Sequence, residues 1–299
     1  MTLEQLARRP SMVQQFITGL PMSAGGASQV AITLSSIMNA AVDDGLITRN
    51  PCQAGSVRLP RQSQRKIVPW TTAQIAVLRA GLPERYRVAA DCGAGLGMRQ
   101  GEIFALAVGD VGFLRRMVHV GHCVKQINGR PWFGLPKGGK ERDVPLPAPV
   151  SLALAAHIDR FSPVEVTLPW NEPGNPRRHG RPVTRRLLFT HRGSALNHST
   201  FNTTAWRPAR IAAGLGDGGM HQLRHFYASA LVAGGVDIRA LSEYLGHHDP
   251  AITLRVYSHL MPSAEGRALR AIEDALGEAG DAPGEDHGPE TAREGKDGL

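Results

Sequence analysis

Residues 221–225, HQLRH, set two histidines four positions apart with an arginine between them. Positions i, i+3 and i+4 share one helix face, so His221, Arg224 and His225 can be presented together. Such a turn could hold a metal ion or an anion. A metal needs neutral imidazoles facing a cation, and a guanidinium opposes that. Gln222 also stands where the zinc-hydrolase pattern H-E-x-x-H carries its general-base glutamate. An anionic oxygen, by contrast, accepts from both an arginine fork and a donating imidazole. The residue types therefore favour a phosphate, and a chelator-sensitive metallohydrolase is the weaker reading.

Other polar residues have the types needed for phosphate chemistry. Arg99 lies in GLGMRQGE with Glu102 three residues on, and Lys137 and Lys140 lie in PKGGKERDVPL. His247 and His248 follow Leu245 and Gly246, and Tyr257 sits in RVYSHL. Singly, each has a plain structural explanation: an intrahelical ion pair, turn lysines, loop histidines, a half-buried core tyrosine. Lysine is scarce, however, with five among 34 basic residues, so a position that keeps it merits a closer reading.

Taken together, GLGMRQGE, PKGGKERDVPL, HQLRH, LGHHD and RVYSHL resemble, in order and approximate spacing, the motifs of the tyrosine recombinases, the phage integrase family. The resemblance covers residues 70–276. It implies that Arg99 is the first catalytic arginine and Lys137 the hairpin lysine, with Lys140 as fallback. His221 and Arg224 would be the central pair, His247 the second histidine and Tyr257 the nucleophile. His225 and His248 would be supporting residues or bystanders. The implied reaction cleaves and rejoins DNA through a covalent 3′-phosphotyrosine, with no cofactor and no metal, to integrate or excise a phage or other mobile element. The implied partners are double-stranded DNA, a homotetramer assembled on paired sites and an accessory DNA-bending protein.

The chemistry gives each type a reason. A phosphodiester under attack gains negative charge on its non-bridging oxygens, which two permanently charged arginines can fork and two histidines can hydrogen-bond. A tyrosine hydroxyl, which in water ionises only near pH ~10, needs a positive field or a nearby base to attack. His221 is the candidate to take that proton. An ammonium on a flexible turn, Lys137, is the candidate to protonate the leaving 5′-oxygen.

These groups need a scaffold, and 299 residues can bury a sizeable core in two domains. The chain carries +8, but the stretch from Glu278 onward carries −5, which leaves +13 on residues 1–277 and suits a polyanionic partner. Three scattered cysteines, Cys52, Cys92 and Cys123, form no C-x-x-C pair and fit a reducing compartment. Neither a signal peptide nor a membrane span is legible, so a cytoplasmic protein away from membranes is expected.

Apolar residues at helical spacing predict helices over 27–46, 71–82, 84–107 with a break at AGLGMR, 148–160, 198–213, 219–234, 237–245, after Asp249-Pro250, and 263–276. Short β-rich runs predict strands over 111–120 and 122–127, and a hairpin around the GGK turn. Residues 161–186, rich in Pro and Arg, read as a loop insertion. The fold class is α+β, mainly α: a shortened helical core-binding (SAM-like) domain over 1–55, a basic linker over 56–70, a catalytic domain of mixed helices and a small antiparallel sheet over 71–276, and a disordered acidic tail over 277–299. Arg58, Arg61, Arg65 and Lys66, with Lys140, are DNA-backbone candidates. The apolar face of the last helix, Leu269, Ile272 and Leu276, would dock on a neighbouring subunit or on its own domain. Two further readings share the fold: a non-catalytic DNA-binding protein, and a type IB topoisomerase that relaxes supercoils as a monomer.

Overall fold

A computed structural model describes residues 3–60 and 67–261 of the chain, with Leu269, Ile272, Glu273 and Leu276. Two compact units are present, Met1–Lys66 and Ile67–Leu299. No helix among the described residues is long and apolar enough to cross a membrane.

The first unit consists of α1 (Leu3–Arg8), α2 (Pro10–Thr18) and α3 (Ala24–Asp43), followed by a 3-10 turn. Ser23 caps α3 by accepting from the Gly26 amide. Val13, Ile17 and Ala31 form one small core, and Ala7, Met38, Ala41 and Ile47 another. Only α3 is expected from the sequence; α1 and α2 are too short to show a clear period. Arg58 is exposed, with its amide donating to Gln14 Oε1 at 2.6 Å. Arg61, Arg65 and Lys66, like the acidic tail and nearly all of 263–276, lie outside the described residues.

The second unit opens with α4 (Thr72–Gly81), α5 (Glu84–Leu96) and α6 (Gln100–Ala105). Thr71 and Gln74 form the capping box that starts α4. Next come β1 (Val111–Gly112), β2 (Met117–Val120), β3 (Cys123–Ile127), β4 (Arg130–Gly134), β5 (Arg142–Pro145), α7 (Ala148–Arg160), β6 (Val164–Asn171), β7 (Pro182–Leu187), β8 (Thr190–His191) and β9 (Ser194–Ala195). The unit continues with α8 (His198–Phe201), a π turn ahead of Pro208, α9 (Arg207–Ala212), α10 (His221–Ala233), α11 (Ile238–Leu245) and α12 (Pro250–Tyr257).

Three expectations are corrected. The strands flanking Lys137 and Lys140 do not form a hairpin: β4 pairs with β3, whereas β5 pairs with β2, so the GGK segment crosses between two sheets. The true hairpin turn lies at Asn128-Gly129, where both residues have positive φ, as a tight turn between twisted strands requires. Residues 161–186 are not a plain loop; β6 and β7 pair antiparallel and extend the sheet in the order β3-β4-β6-β7. The sheets are also not wholly antiparallel, because β4 and β6 run parallel. Arg185 anchors this added hairpin through Asp110 at 2.6 Å, and Arg178 pairs with Glu172 over the Trp170 ring. Arg177, Arg181 and Arg186 are exposed.

The main core is built around α5, whose Ala89, Ala90, Cys92 and Leu96 are fully buried against neighbouring helices. At Gly93 an added Cβ would lie 2.8 Å from Leu223, so the absence of a side chain sets how closely α10 approaches. That close packing places the start of α10 over the end of α5.

Candidate active site

Arg224 is the largest fully buried side chain, at 1% exposure. A buried guanidinium must have partners, and helix ends supply them. Nη1 donates to the Gly97 carbonyl at 2.7 Å, and Nη2 donates to the Leu245 carbonyl and to His247 Nε2, the latter at 3.1 Å. Gly97 and Gly246 end α5 and α11 in the left-handed conformation, turning the last carbonyls, at the negative ends of both helix dipoles, onto the cation. Of the five guanidinium N–H bonds three are thus engaged. The other two have no protein partner among the described residues.

Gly97 is doubly constrained, with φ of +61° and a hypothetical Cβ 2.4 Å from Tyr227 Cδ1. Gly97→Ala is expected to lose about 1–3 kcal/mol of stability from overpacking, with further loss from the left-handed backbone, read as a lower urea midpoint.

Arg99 forms the expected ion pair with Glu102, Nη1 to Oε1 at 3.0 Å, while its backbone amide donates to Oε2 at 2.8 Å. Glu102 is buried and is also forked by Arg142, Nη1 to Oε1 at 3.1 Å and Nη2 to Oε2 at 2.7 Å. Burial alone would raise the Glu102 pKa, but the Arg142 hydrogen bonds and the charges of Arg142 and Arg99 outweigh it and hold the carboxyl below its usual range. Arg142 Nε reaches the Tyr244 carbonyl at 2.7 Å, tying the pair to α11. The ion pair that the sequence suggests for Arg99 is present, and it fixes the direction of the guanidinium. Glu102→Ala would leave Arg142, 7% exposed, without its carboxylate. The expected cost is about 3–5 kcal/mol, measured by chemical denaturation.

His247 is held at both nitrogens. Because Arg224 can only donate, Nε2 accepts and Nδ1–H donates to the fully buried Thr253 Oγ1 at 2.7 Å. Tyr257, on the last turn of α12, is 2% exposed, and its hydroxyl lies 2.8 Å from His225 Nδ1. Burial pushes the Tyr257 pKa up to about 12, with Arg224 opposing. His221 stacks edge-on against His225 at 4.6 Å between centroids. Partial desolvation at the start of α10, then the charges of His225, Arg224, Arg99 and Lys137, lower the pKa of His221, whose ring is still exposed to solvent; burial, then Arg224, Arg99, His221 and Arg142, push His247 down to about 4.

The His247 ring is thus neutral at pH 7. The unfolded chain takes up this proton near 6.5, whereas the folded protein does so only near 4. Its contribution to stability is intact above about pH 6.5 and falls as pH drops toward 4. Glu102, with its depressed pKa, adds a further loss below about 4.5. A pH series of thermal unfolding is expected to show this acid-side decline.

Arg99, Glu102 and Lys137 line one cavity of about 560 Å³ together with Lys125 of β3 and with Asn171 and Glu172 of the added hairpin. Lys137 and Lys140 are exposed and form no ion pair among the described residues; Lys140 does not line the cavity. His248 is exposed. Arg224 bonds to His247, His225 bonds to Tyr257 and packs on His221, and the charges of Arg99 and Lys137 act on His221. Five residues near them are not singled out by the sequence: Glu102 as a tether, Arg142, Thr253, Lys125 and, as the partner of Tyr257, His225. Among the described residues no group of three or more His, Cys, Asp or Glu is set to share a metal ion.

Residues 74–263 match the model of a family described as the phage integrase family. A "Tyrosine recombinase XerC-like" protein of Caldanaerobacter subterraneus subsp. tengcongensis is 26% identical over 257 residues, covering 81% of this chain and 64% of that one. The "Tyrosine recombinase XerC" of Mycobacterium leprae is 32% identical over 178 residues, covering 60% and 49%. The chain thus spans from about half to just under two thirds of the length of these curated relatives. Among solved structures, a Tn1549 transposon integrase in complex with a circular intermediate DNA is similar with a TM-score of 0.68 at 18% identity, over 90% of this chain and 85% of that one. At that identity the likeness is one of fold.

Proposed function

Because the chain belongs to the phage integrase family, we propose that it is a site-specific DNA recombinase that cuts and rejoins DNA through a 3′-phosphotyrosine on Tyr257. The observation that carries this reading is the convergence of Arg224, His247 and His225 on the Tyr257 side of α10, with Arg99 held nearby by Glu102.

In this reading the scissile phosphate lies against the two free donors of Arg224 and the guanidinium of Arg99. Those donors are fixed before the substrate arrives, by helix-end carbonyls in one case and a buried carboxylate in the other, so little reorganisation is needed as charge develops. An arriving phosphate also offsets the positive charges of Arg224 and Arg99 that add to burial in disfavouring protonation of His221 and His247; once protonated, His221 can donate to its oxygens directly, and His247 can do so when Nε2 gives up its bond from Arg224. Tyr257 Oη attacks phosphorus, the bond to the 5′-oxygen breaks, and Lys137 supplies the proton that oxygen needs. The phosphotyrosine conserves the bond energy, so a second 5′-hydroxyl can displace the tyrosine without ATP. Lys125 lines the same cavity as Lys137, whereas Lys140, the fallback expected from the sequence, does not.

Double-stranded DNA is the partner of this reaction, a homotetramer on paired sites is its assembly, with or without an accessory bending protein, and exchange of a mobile element is its outcome. Residues 1–55 would act as a core-binding clamp, 56–70 as a basic linker along the backbone, and 71–276 as the catalytic domain. The similarity to a transposon integrase solved on DNA supports this reading. Incubation of the protein with two DNA duplexes carrying a cognate site tests it: joined products of exchanged flanks are expected. Cleavage without exchange, or relaxation of any supercoiled plasmid, would favour the topoisomerase alternative. DNA binding without cleavage would favour a non-catalytic binding protein.

A further inference from the structure

We propose that His225, rather than His221, is the residue that takes the proton of Tyr257 during cleavage and returns it during rejoining. This rests on the phosphotyrosine reading above and names the base within it.

The geometry separates the two histidines. His225 Nδ1 is 2.8 Å from the Tyr257 hydroxyl, a hydrogen-bond distance, while the ring contact of His221 is with His225. His225 occupies the position after Arg224 on α10, and its carbonyl accepts from Ser229 Oγ at 2.7 Å. With a neutral ring carrying its proton on Nε2, Nδ1 presents a lone pair to the phenol. Burial and the neighbouring Arg224 charge lower the His225 pKa, so the neutral form is the resident one.

The step balances without another reactant. The Tyr257 Oη–H bond breaks and its proton passes to Nδ1 as Oη bonds phosphorus and the phosphorus bond to the 5′-oxygen breaks. The imidazolium then lies beside the newly formed phosphodiester anion, which offsets the charge that burial would otherwise oppose. On rejoining, a 5′-hydroxyl attacks phosphorus, the tyrosine leaves, and Nδ1 returns the proton to Oη. The low exposure of Tyr257 and the partial burial of His225 shelter that proton from solvent between the two half-reactions. One residue therefore acts as base and then as acid, while Lys137 handles the 5′-oxygen.

The test is single-turnover adduct formation on a nicked duplex that releases the cleaved fragment, with the wild type, Tyr257→Phe, His225→Ala and His225→Asn, alongside DNA affinity for each. His225→Ala is expected to slow adduct formation by about 10²–10⁴-fold with little change in affinity. Added imidazole is expected to recover part of the rate, more so for more basic ring analogues. His225→Asn, which keeps a hydrogen-bond acceptor near the Nδ1 position but is not a base, is expected to stay slow. A His225→Ala rate within about two-fold of wild type, or a loss that ring bases leave unchanged, would overturn the assignment and make His225 a packing residue. An Asn variant that restores the full rate would likewise reduce it to a positioning role. If the wild type itself forms no adduct, the phosphotyrosine reading fails and takes this assignment with it; a wild-type adduct combined with a fast Ala variant defeats the assignment alone.

Discussion

Tyr257→Phe is expected to bind DNA as the wild type does and to form no covalent adduct with it. The substitution removes one oxygen from a side chain that is 2% exposed, so the packing of α12 against α10 is retained. The hydroxyl makes a hydrogen bond to His225, whose loss costs about 0.5–1.5 kcal/mol, less than the stability of a typical domain. Chemistry responds differently. Tyr227, the other tyrosine near Arg224, packs against Gly97 in the core, and a nucleophile that forms the covalent intermediate cannot be replaced by transition-state stabilisation alone. Losses of about 10⁴-fold or more are ordinary when such a residue is removed. Band-shift affinity within a few-fold of wild type, with no protein retained on denatured DNA, is the expected pair of results.

Arg224→Lys is expected to lower single-turnover cleavage by about 10³-fold or more while leaving the net charge unchanged. The reason is geometric. The guanidinium spans the Gly97 and Leu245 carbonyls and His247 Nε2 and still has two donors to offer. An ammonium has three donors on one atom and cannot reach those separated acceptors and fork a phosphate as well. Each buried carbonyl left without a partner costs about 1–3 kcal/mol, so a lowered melting temperature should accompany the kinetic loss. DNA affinity, dominated by many backbone contacts, should change much less than the rate. A rate and an affinity that fall in proportion would instead make Arg224 a binding contact.

The positions of the groups are legible in the sequence to different depths. Helices such as α4 and α10 announce themselves through apolar spacing and caps, and the break at Gly97 follows from glycine and the residues around it. The residue types of the phosphate clamp are legible because HQLRH and LGHH carry them on short, contiguous segments. What cannot be read depends on contacts between distant segments. Glu102 and Arg142 are 40 positions apart, and nothing local says that β5 leaves its neighbour β4 to pair with β2. The choice between His221 and His225 is of the same kind, since both lie on one helix face and only the placement of α12 decides which ring meets Tyr257. The β6–β7 hairpin is hidden for another reason. Val164, Val166, Leu168 and Trp170 alternate as a strand should, but Pro169 and Pro182 and the nearby arginines give the segment the composition of a loop. Pro182 is tolerated because it opens β7.

The central claim, attack by Tyr257 on a DNA phosphate, is tested most directly by locating the covalent bond. The wild type would be incubated with a nicked duplex bearing a cognate site in EDTA, the denatured adduct digested with trypsin and nuclease, and the modified peptide sequenced by mass spectrometry. The expected result is a nucleotide phosphate on Tyr257, within the tryptic peptide that follows Arg255. An adduct on another residue, or strand cleavage that leaves no protein attached and stops when metal is chelated, would contradict it.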